Sequence, residues 1–446
     1  MKMDSEMPHR YSSKESHLCE EEHVDVAIIG AGAAGLFAAI WAGRNSEGHP
    51  IRIAVFDGAK KLGAKILVAG GGRCNVTHRR VTEHDFSGSS PAAIRKVLRR
   101  FSVTQTIHFF SEAGVELKEE ETGKLFPVTD SARTILNALI DQSKESHASL
   151  AHPSRVTDIE QLPVSGTARN VTQEPRFRVV LEDGIVLARH VIVCTGGKSL
   201  PKSGSDGGGY RLVENLGHTI TKPLVPALVP LVLEKSHWVR ELSGVTVPTT
   251  VTLSKASGKR IVSCSGSTLC THVGLSGPAV LDISRHWLIA RNTDSDVQLS
   301  INWLPGQNAE TVDEFFQSPR GGAFTLLRQW LPDRLARRIC IESEAPLVGD
   351  LTRTIRKKLV QNIMATPLPV TGDRGFSIAE ATAGGVPLEE LKLETMESRK
   401  CPGLYLAGEV LDVDGRIGGF NFQWAWSSGY VAGTAVAKSI NEANAR

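Results

Sequence analysis

The chain alternates between short apolar runs and glycine-rich turns. Val24–Ile29 (VDVAII) is a brief, mainly apolar run of the kind that suits a buried parallel strand. A glycine-rich turn follows, and the next stretch, AAGLFAAIWAG, is built of strong helix formers. Ile51–Phe56 (IRIAVF) predicts a second strand, which completes a βαβ unit. Phe177–Leu181 and Ile185–Leu187 alternate on either side of Glu182-Asp183-Gly184, so the pattern predicts a hairpin. Val191–Val193 then runs into Cys194-Thr195-Gly196-Gly197, another strand meeting a glycine turn.

From about Leu200 the pattern changes. Pro, Gly and Ser punctuate short β-like runs (Gly244–Leu253, Val297–Trp303), and Thr311–Ala365 reads as helical, Leu351–Met364 most clearly. After Thr371 glycine returns, followed by an apolar strand at Leu404–Ala407, a glycine-rich loop and an Ala-rich helix at Val431–Ile440. The economical reading is an α/β protein with one Rossmann-type nucleotide-binding domain made from both chain ends. A β-rich, barrel-like domain and a small helical domain interrupt it. The expected boundaries are a disordered tail over 1–22, the first part of the nucleotide domain over 23–199, the β insert over 200–305, the helical domain over 306–367 and the second part over 368–446.

A chain of 446 residues exceeds the usual limit of one hydrophobic core, in keeping with several domains. A net charge of +3 gives no reason to expect nucleic acid or a membrane surface as partner. Short basic runs such as Arg95-Lys96 lie among Ile94, Val97 and Leu98 at helical spacing and read as a solvated face. Seven scattered cysteines form no CxxC and no zinc spacing, which fits reduced thiols in a cytoplasmic protein and no bound metal. No apolar stretch reaches membrane-spanning length, and the polar, Glu-rich first 22 residues lack the apolar centre of a signal peptide.

Gly30-Ala31-Gly32-Ala33-Ala34-Gly35 is a GxGxxG directly after a strand and opening a helix. Its first glycine permits the tight turn, its second lets the backbone approach a pyrophosphate, and its third lets helix and strand pack closely. The helix N-terminus then points free N–H groups at the anion. Asp57 ends the second strand, 22 positions after Gly35, where a carboxylate accepts hydrogen bonds from an adenosine ribose. Together these predict dinucleotide binding.

Two further segments favour FAD over NAD. Lys61-Leu62-Gly63-Ala64-Lys65 and Gly70-Gly71-Gly72-Arg73-Cys74-Asn75 follow the second strand, and consecutive glycines can converge their N–H groups on an anion beside the fixed charge of Arg73. Near the C-terminus, Leu404–Ala407 leads to Gly408-Glu409, suited to a polyol hydroxyl. Gly418-Gly419 precedes Phe420-Asn421-Phe422-Gln423 and a helix whose N-terminus can stabilise a reduced isoalloxazine.

On these segments the chain resembles the BaiN-like, or aminoacetone-oxidase-like, NAD(P)/FAD-dependent oxidoreductases of the glutathione-reductase-type FAD superfamily. The matching stretches include VDVAIIGAGAAGLFAA, KKLGAKILVAGGGRCNVTH, THVGLSGPAVL, ATAGGV and GLYLAGEVLDVDGRIGGFNFQWAWSSGYVAG, from about residue 24 to 433. The resemblance implies FAD contacts at Gly30, Ala31, Gly32, Ala33, Ala34 and Gly35, with Asp57 and Gly58 at the ribose. It places Lys65 and Gly70, Gly71, Gly72, Arg73, Cys74 and Asn75 around the pyrophosphate and flavin. Thr195, Gly196 and Gly197 fall on the adenosine side, Gly408 and Glu409 on the ribityl chain, and Gly419, Asn421 and Gln423 near the isoalloxazine. Val156, in an extended run, is expected to bond adenine through its backbone. Two positions depart from the family pattern: Asp57 where Glu is usual, and Ala64 where many members carry Arg.

For proton transfer the sequence offers His272, in Thr271-His272-Val273-Gly274, as the candidate acid or base, against a histidine bonded within the insert's own fold. Cys74 reads either as a redox thiol lacking a CxxC partner or as a small packing thiol beside the cofactor. Glu380, before ATAGGV, reads equally as a helix-end charge or a flavin neighbour. No second GxGxxG follows a strand: Gly204-Ser205-Asp206-Gly207-Gly208-Gly209 comes after Pro201 and Ser203, so NAD(P)H would bind only transiently over the flavin. The expected activity is redox chemistry on a small molecule, as an oxidase or an NAD(P)H-driven reductase. The alternative is an FAD-containing binding or RNA-modifying protein whose insert recognises a macromolecule.

Overall fold

In a computed structural model the first apolar run forms the strand Glu22–Ile29 at the centre of a nine-stranded sheet. The structure describes residues 22–46, 50–163, 174–317, 322–349 and 351–445; the expected tail, with Cys19, lies outside them apart from Glu22. On one side of that central strand lies Ile53–Phe56 and then Ala148–Ala151; on the other lie Ile185–Val193 and Leu404–Leu406, all parallel. The C-terminal strand therefore completes a sheet begun by the N-terminal one, as the sequence pattern predicts. The predicted hairpin is present as Phe177–Leu181 against Ile185–Ala188, and Val156–Gln161 adds a third antiparallel strand.

Two helices cross this sheet together, Ala33–Arg44 and the long C-terminal Phe420–Asn444. Their axes approach closely because the contact face of the second is lined by small residues. A Cβ on Gly429 would stand 2.6 Å from the Ala34 carbonyl oxygen. Phe37, Phe101, Phe109 and Trp426 pack around this pair in edge-on and tilted contacts, with ring centroids 4.7 to 5.3 Å from Phe37. One apolar cluster runs through these helices and the sheet.

The insert is a seven-stranded antiparallel sheet in the order 366–368, 298–302, 246–254, 260–271, 274–276, 231–233, 370–373. Its two edge strands, Thr366–Leu368 and Val370–Asp373, are successive in the chain, so the sheet must curl until its edges nearly meet. The helix Pro278–Thr293 covers this sheet, and the helices Asp333–Glu342 and Arg353–Met364 share its apolar cluster through Leu335, Ile339, Leu359 and Ile363. Strand pairing within the insert reaches Asp373. A short pair, Val225–Ala227 with Ala381–Ala383, marks where the chain leaves and re-enters the nucleotide-binding unit. Among the described residues no helix is long and apolar enough to cross a membrane.

Candidate cofactor and active site

Four loops that end parallel strands, after Ile29, Phe56, Val193 and Leu406, open onto one cavity of about 720 Å³. The first is the GxGxxG turn. Gly30 has φ +100° and no room for a side chain, since a Cβ would lie 2.5 Å from the Cys194 carbonyl oxygen. Gly32 caps the Ala33–Arg44 helix without a side-chain hydrogen bond, and a Cβ there would meet nothing within 4 Å. The helix N-terminus is thus open to the cavity, and its N–H groups remain available to an anion. Asp57 closes the second strand: its Oδ2 accepts from the Ala31 N–H at 2.7 Å and its Oδ1 from the Ala59 N–H at 2.8 Å.

Gly58, Lys65, Gly70, Gly71, Arg73, Asn75, Val156, Thr195, Gly196, Gly408, Glu409, Gly419 and Asn421 also line this cavity, as do Gly30, Gly32, Ala33, Ala34 and Asp57. The run of glycines after Ala69 breaks the preceding helix, with Gly70 and Gly71 at φ +57° and +70°. Lys65 bonds Glu409, and Ser199 joins both, donating to Glu409 Oε1 at 2.8 Å and accepting from Lys65 at 2.6 Å. Glu409 is held further by the Thr382 N–H at 2.9 Å. Arg73 lies over the Phe126 ring at 4.0 Å and pairs with Glu120 at 2.6 Å. The C-terminal helix starts at the cavity wall, its N-cap Gly419 at φ +92° and again without a side-chain cap.

The other expected residues stand elsewhere. Ala31 serves through its N–H, already bonded to Asp57. Gly35 packs, since a Cβ would fall 1.8 Å from the Gly30 carbonyl oxygen, and Gly197 abuts Thr382 and Glu409. Gly72 and Cys74 do not line the cavity; Cys74 is fully buried at φ +61°, and burial pushes its thiol pKa far up, which suits a packing role. Gln423 points into the core, accepting from Thr77 and Thr106 and donating to the Phe101 carbonyl and Ser427. His272 is exposed at the turn between Arg260–Thr271 and Gly274–Ser276, away from the cavity lining, so an acid or base is to be sought elsewhere.

Sequence reasoning missed several wall residues. Arg155 and Asp206 pair at 2.6 Å beside Val156, where Ser205, Gly208 and Gly209 also face the cavity. That glycine cluster is no nicotinamide fingerprint, but it caps the same cavity from a third helix start, Gly208–Asn215. At the other end stand Lys124, Phe126, Leu228, Ile378 and Arg416, together with Glu380, which the sequence offers as either a helix-end charge or a flavin neighbour. Asp282 borders this end: burial raises its pKa to about 6, although its Oδ1 accepts from the Ile417 N–H at 2.8 Å.

The cavity's polar atoms fit a dinucleotide. Among the described residues Asn75 Oδ1, Thr195 Oγ1 and Ser205 Oγ are buried with no hydrogen-bond partner, on the walls where cofactor hydroxyl and amide groups would lie. Residues 24–435 match the model of the HI0933-like protein Rossmann domain. The chain belongs to the HI0933-like family. This is a family of FAD-dependent oxidoreductases with the Rossmann-type fold described above. The HI0933-like chain is 34% identical over 415 residues to the ribosomal RNA dihydrouridine synthase of Escherichia coli (strain K12), covering 92% of this chain and 97% of that protein. The Haemophilus influenzae protein of the same name is 33% identical over 417 residues, covering 92% and 98%. A 3-dehydro-bile acid delta(4,6)-reductase of Clostridium scindens is 32% identical over 424 residues, covering 93% and 99%.

Proposed function

We propose that this protein is an FAD-dependent reductase that saturates a carbon–carbon double bond conjugated with a carbonyl group. The observation that carries this reading is a bond change common to relatives matched over nearly their whole length. In uracil the C5=C6 bond is conjugated with the C4 carbonyl, and dihydrouridine is the product of its two-electron reduction. A 3-oxo steroid with double bonds at positions 4 and 6 offers the same unit in a carbocycle. Each reduction needs a hydride, an electron pair with its hydrogen, at the carbon remote from the carbonyl and a proton at the carbon beside it.

FAD, when bound, would supply the hydride equivalent, with NAD(P)H as its source. The protein's part is to hold and orient. The open helix start at Gly32, Ala33 and Ala34 takes the pyrophosphate, Asp57 the ribose, and Val156 with Thr195 and Gly196 the adenosine. Gly70, Gly71, Arg73, Asn75, Gly419 and Asn421, which line the cavity, would hold the flavin end, with Lys65 and Glu409 at the ribityl chain. No second dinucleotide fingerprint follows a strand, so NAD(P)H would have to bind transiently over the flavin.

Two acceptors satisfy this chemistry. The relatives named for ribosomal RNA favour a uridine in that RNA. The apolar rim favours a small conjugated ketone, since Val68 and Ile378 line the cavity while 56% and 43% exposed, beside Leu228. The test is anaerobic: reduce the yellow protein with NADPH, then add either ribosomal RNA lacking dihydrouridine or a steroid enone, following flavin reoxidation and product mass. Reoxidation with saturation of either acceptor supports the reading and selects the acceptor. Reoxidation by oxygen alone would replace it with an oxidase.

A further inference from the structure

Among the described residues ten ionisable side chains other than the buried Cys194 line the cavity, and eight of them are already engaged. Asp57 holds two backbone N–H groups, and Lys65 pairs with Glu409. Arg73 pairs with Glu120, Arg155 with Asp206, and Arg416 with Asp85 at 3.7 Å, while Arg211 donates to the Thr157 carbonyl at 3.1 Å. The exceptions are Lys124 and Glu380. Neither side chain makes a hydrogen bond or ion pair with any described residue, and they do not pair with each other. Both stand at the end of the cavity away from the adenosine side, with Phe126, Leu228 and Ile378 between apolar walls.

Rigid strands carry them. Lys124 begins Lys124–Pro127, which pairs with Thr77–His78 and Leu117–Glu119; Glu380 directly precedes Ala381–Ala383, and its carbonyl accepts from Ser199 at 3.3 Å. Glu380 opens to the cavity but has protein on its other sides. That enclosure pushes its carboxyl pKa up, and Asp282 adds to the rise, against the opposing pull of Lys124 and Lys65. A carboxyl whose pKa is raised and a lysine side chain, both free of protein partners and lining one cavity, make an acid and an oxyanion holder lacking only their substrate.

The geometry points to Glu380 as the acid that protonates the acceptor carbon next to the carbonyl, and to Lys124 as the cation that holds the carbonyl oxygen. This rests on the reductase reading. In the balanced step the acceptor's π bond is lost and two C–H bonds form. One hydrogen arrives with the electron pair as a hydride equivalent from NAD(P)H, which leaves as NAD(P)⁺; the other arrives as a proton from Glu380, whose carboxylate then takes a proton from solvent. Lys124 stabilises the negative oxygen while charge is on it.

The test uses the FAD-loaded protein and a substrate-independent probe. Pentafluorophenol, ionised through the neutral range, mimics the enolate oxygen, and its binding is read from the flavin's visible spectrum. Wild type should bind it, Lys124→Met should bind it about tenfold more weakly or worse, as for one lost charge-assisted hydrogen bond. Wild-type binding should weaken as pH rises and Glu380 ionises, and Glu380→Gln should bind with no such weakening. Equal affinities and equal pH profiles in all three proteins would overturn the assignment. So would an acceptor, once found, that Glu380→Gln reduces at the wild-type rate and pH profile. If the probe behaves as expected while neither ribosomal RNA nor enone is reduced, the anion site stands and the reductase reading fails.

Discussion

Gly433 lies so close to Ala38 that a Cβ added to it would stand 2.2 Å from the Ala38 carbonyl oxygen. The contact joins the last helix of the chain to the first, and the first helix presents its N-terminus to the cavity. Gly433→Ala must therefore push the two helices apart. It should lower stability by about 1–3 kcal/mol, the usual cost of overpacking, and release flavin at a lower denaturant concentration. Urea titration followed by tryptophan and flavin fluorescence measures both. An unchanged midpoint would mean that the helix pair adjusts freely at this contact.

Asp57 is a hub rather than a lone ribose ligand, because it already accepts the N–H groups of Ala31 and Ala59. Asp57→Ala leaves both donors unmatched and removes the acceptor proposed for the ribose. FAD affinity of the apoprotein should fall about ten- to hundredfold, in line with 1.5–3 kcal/mol for a hydrogen bond to a charged group. Flavin fluorescence quenching on titration gives the number. Wild-type affinity in the variant would put the ribose contact elsewhere.

Gln423 tests the division between cofactor wall and core. Its amide satisfies two threonine hydroxyls, a serine and the Phe101 carbonyl, all buried. Gln423→Leu should cost about 2–4 kcal/mol from the partners it strands and leave the flavin spectrum of the folded protein as it was. A displaced flavin band in a stably folded variant would restore Gln423 to the cofactor site.

The contrast between Asn421 and Gln423 also shows where sequence reading works. Local patterns sufficed for the strand before Gly30, the helix after Gly32, the carboxylate at Asp57 and the hairpin around Gly184, because each depends on neighbours along the chain. The same logic, carried one step further, separates Asn421 from Gln423. Two residues apart on a helix are turned about 200° from each other, so when Asn421 faces the cavity Gln423 faces the core. His272 attracted notice as an imidazole in a glycine-rich segment, yet its position depends on where the insert's hairpin ends, which no local pattern encodes. Lys124 and Glu380 were still less legible. Lys124 looks like an ordinary strand-end charge and Glu380 reads equally as a helix-end charge or a flavin neighbour, so only the meeting of two distant strands at one cavity gives them a common purpose.

His218, Glu390 and Ser398 form a hydrogen-bonded row with the composition of a nucleophile triad, and its chemistry is instead a matter of acid stability. His218 Nδ1 lies 2.7 Å from Glu390 and its Nε2 lies 2.8 Å from Ser398, but Ser398 is 1% exposed and closed to any substrate. Burial holds the His218 pKa down, so the ring is neutral at pH 7, donating to Glu390 and accepting from Ser398. Burial also acts to raise Glu390, but bonds from Lys400, Thr219 and His218 outweigh it and bring the carboxyl to about 2. A carboxylate with a lowered folded pKa stabilises the protein above its ordinary value of 4.5, and the contribution is lost as pH falls toward 2. Glu390→Gln should therefore cost about 2–3 kcal/mol at neutral pH, with the gap to wild type narrowing below pH 4.5. Denaturant unfolding at neutral pH and at successively lower pH tests this. A gap constant with pH would assign the loss to packing and remove the carboxylate's charge from the account.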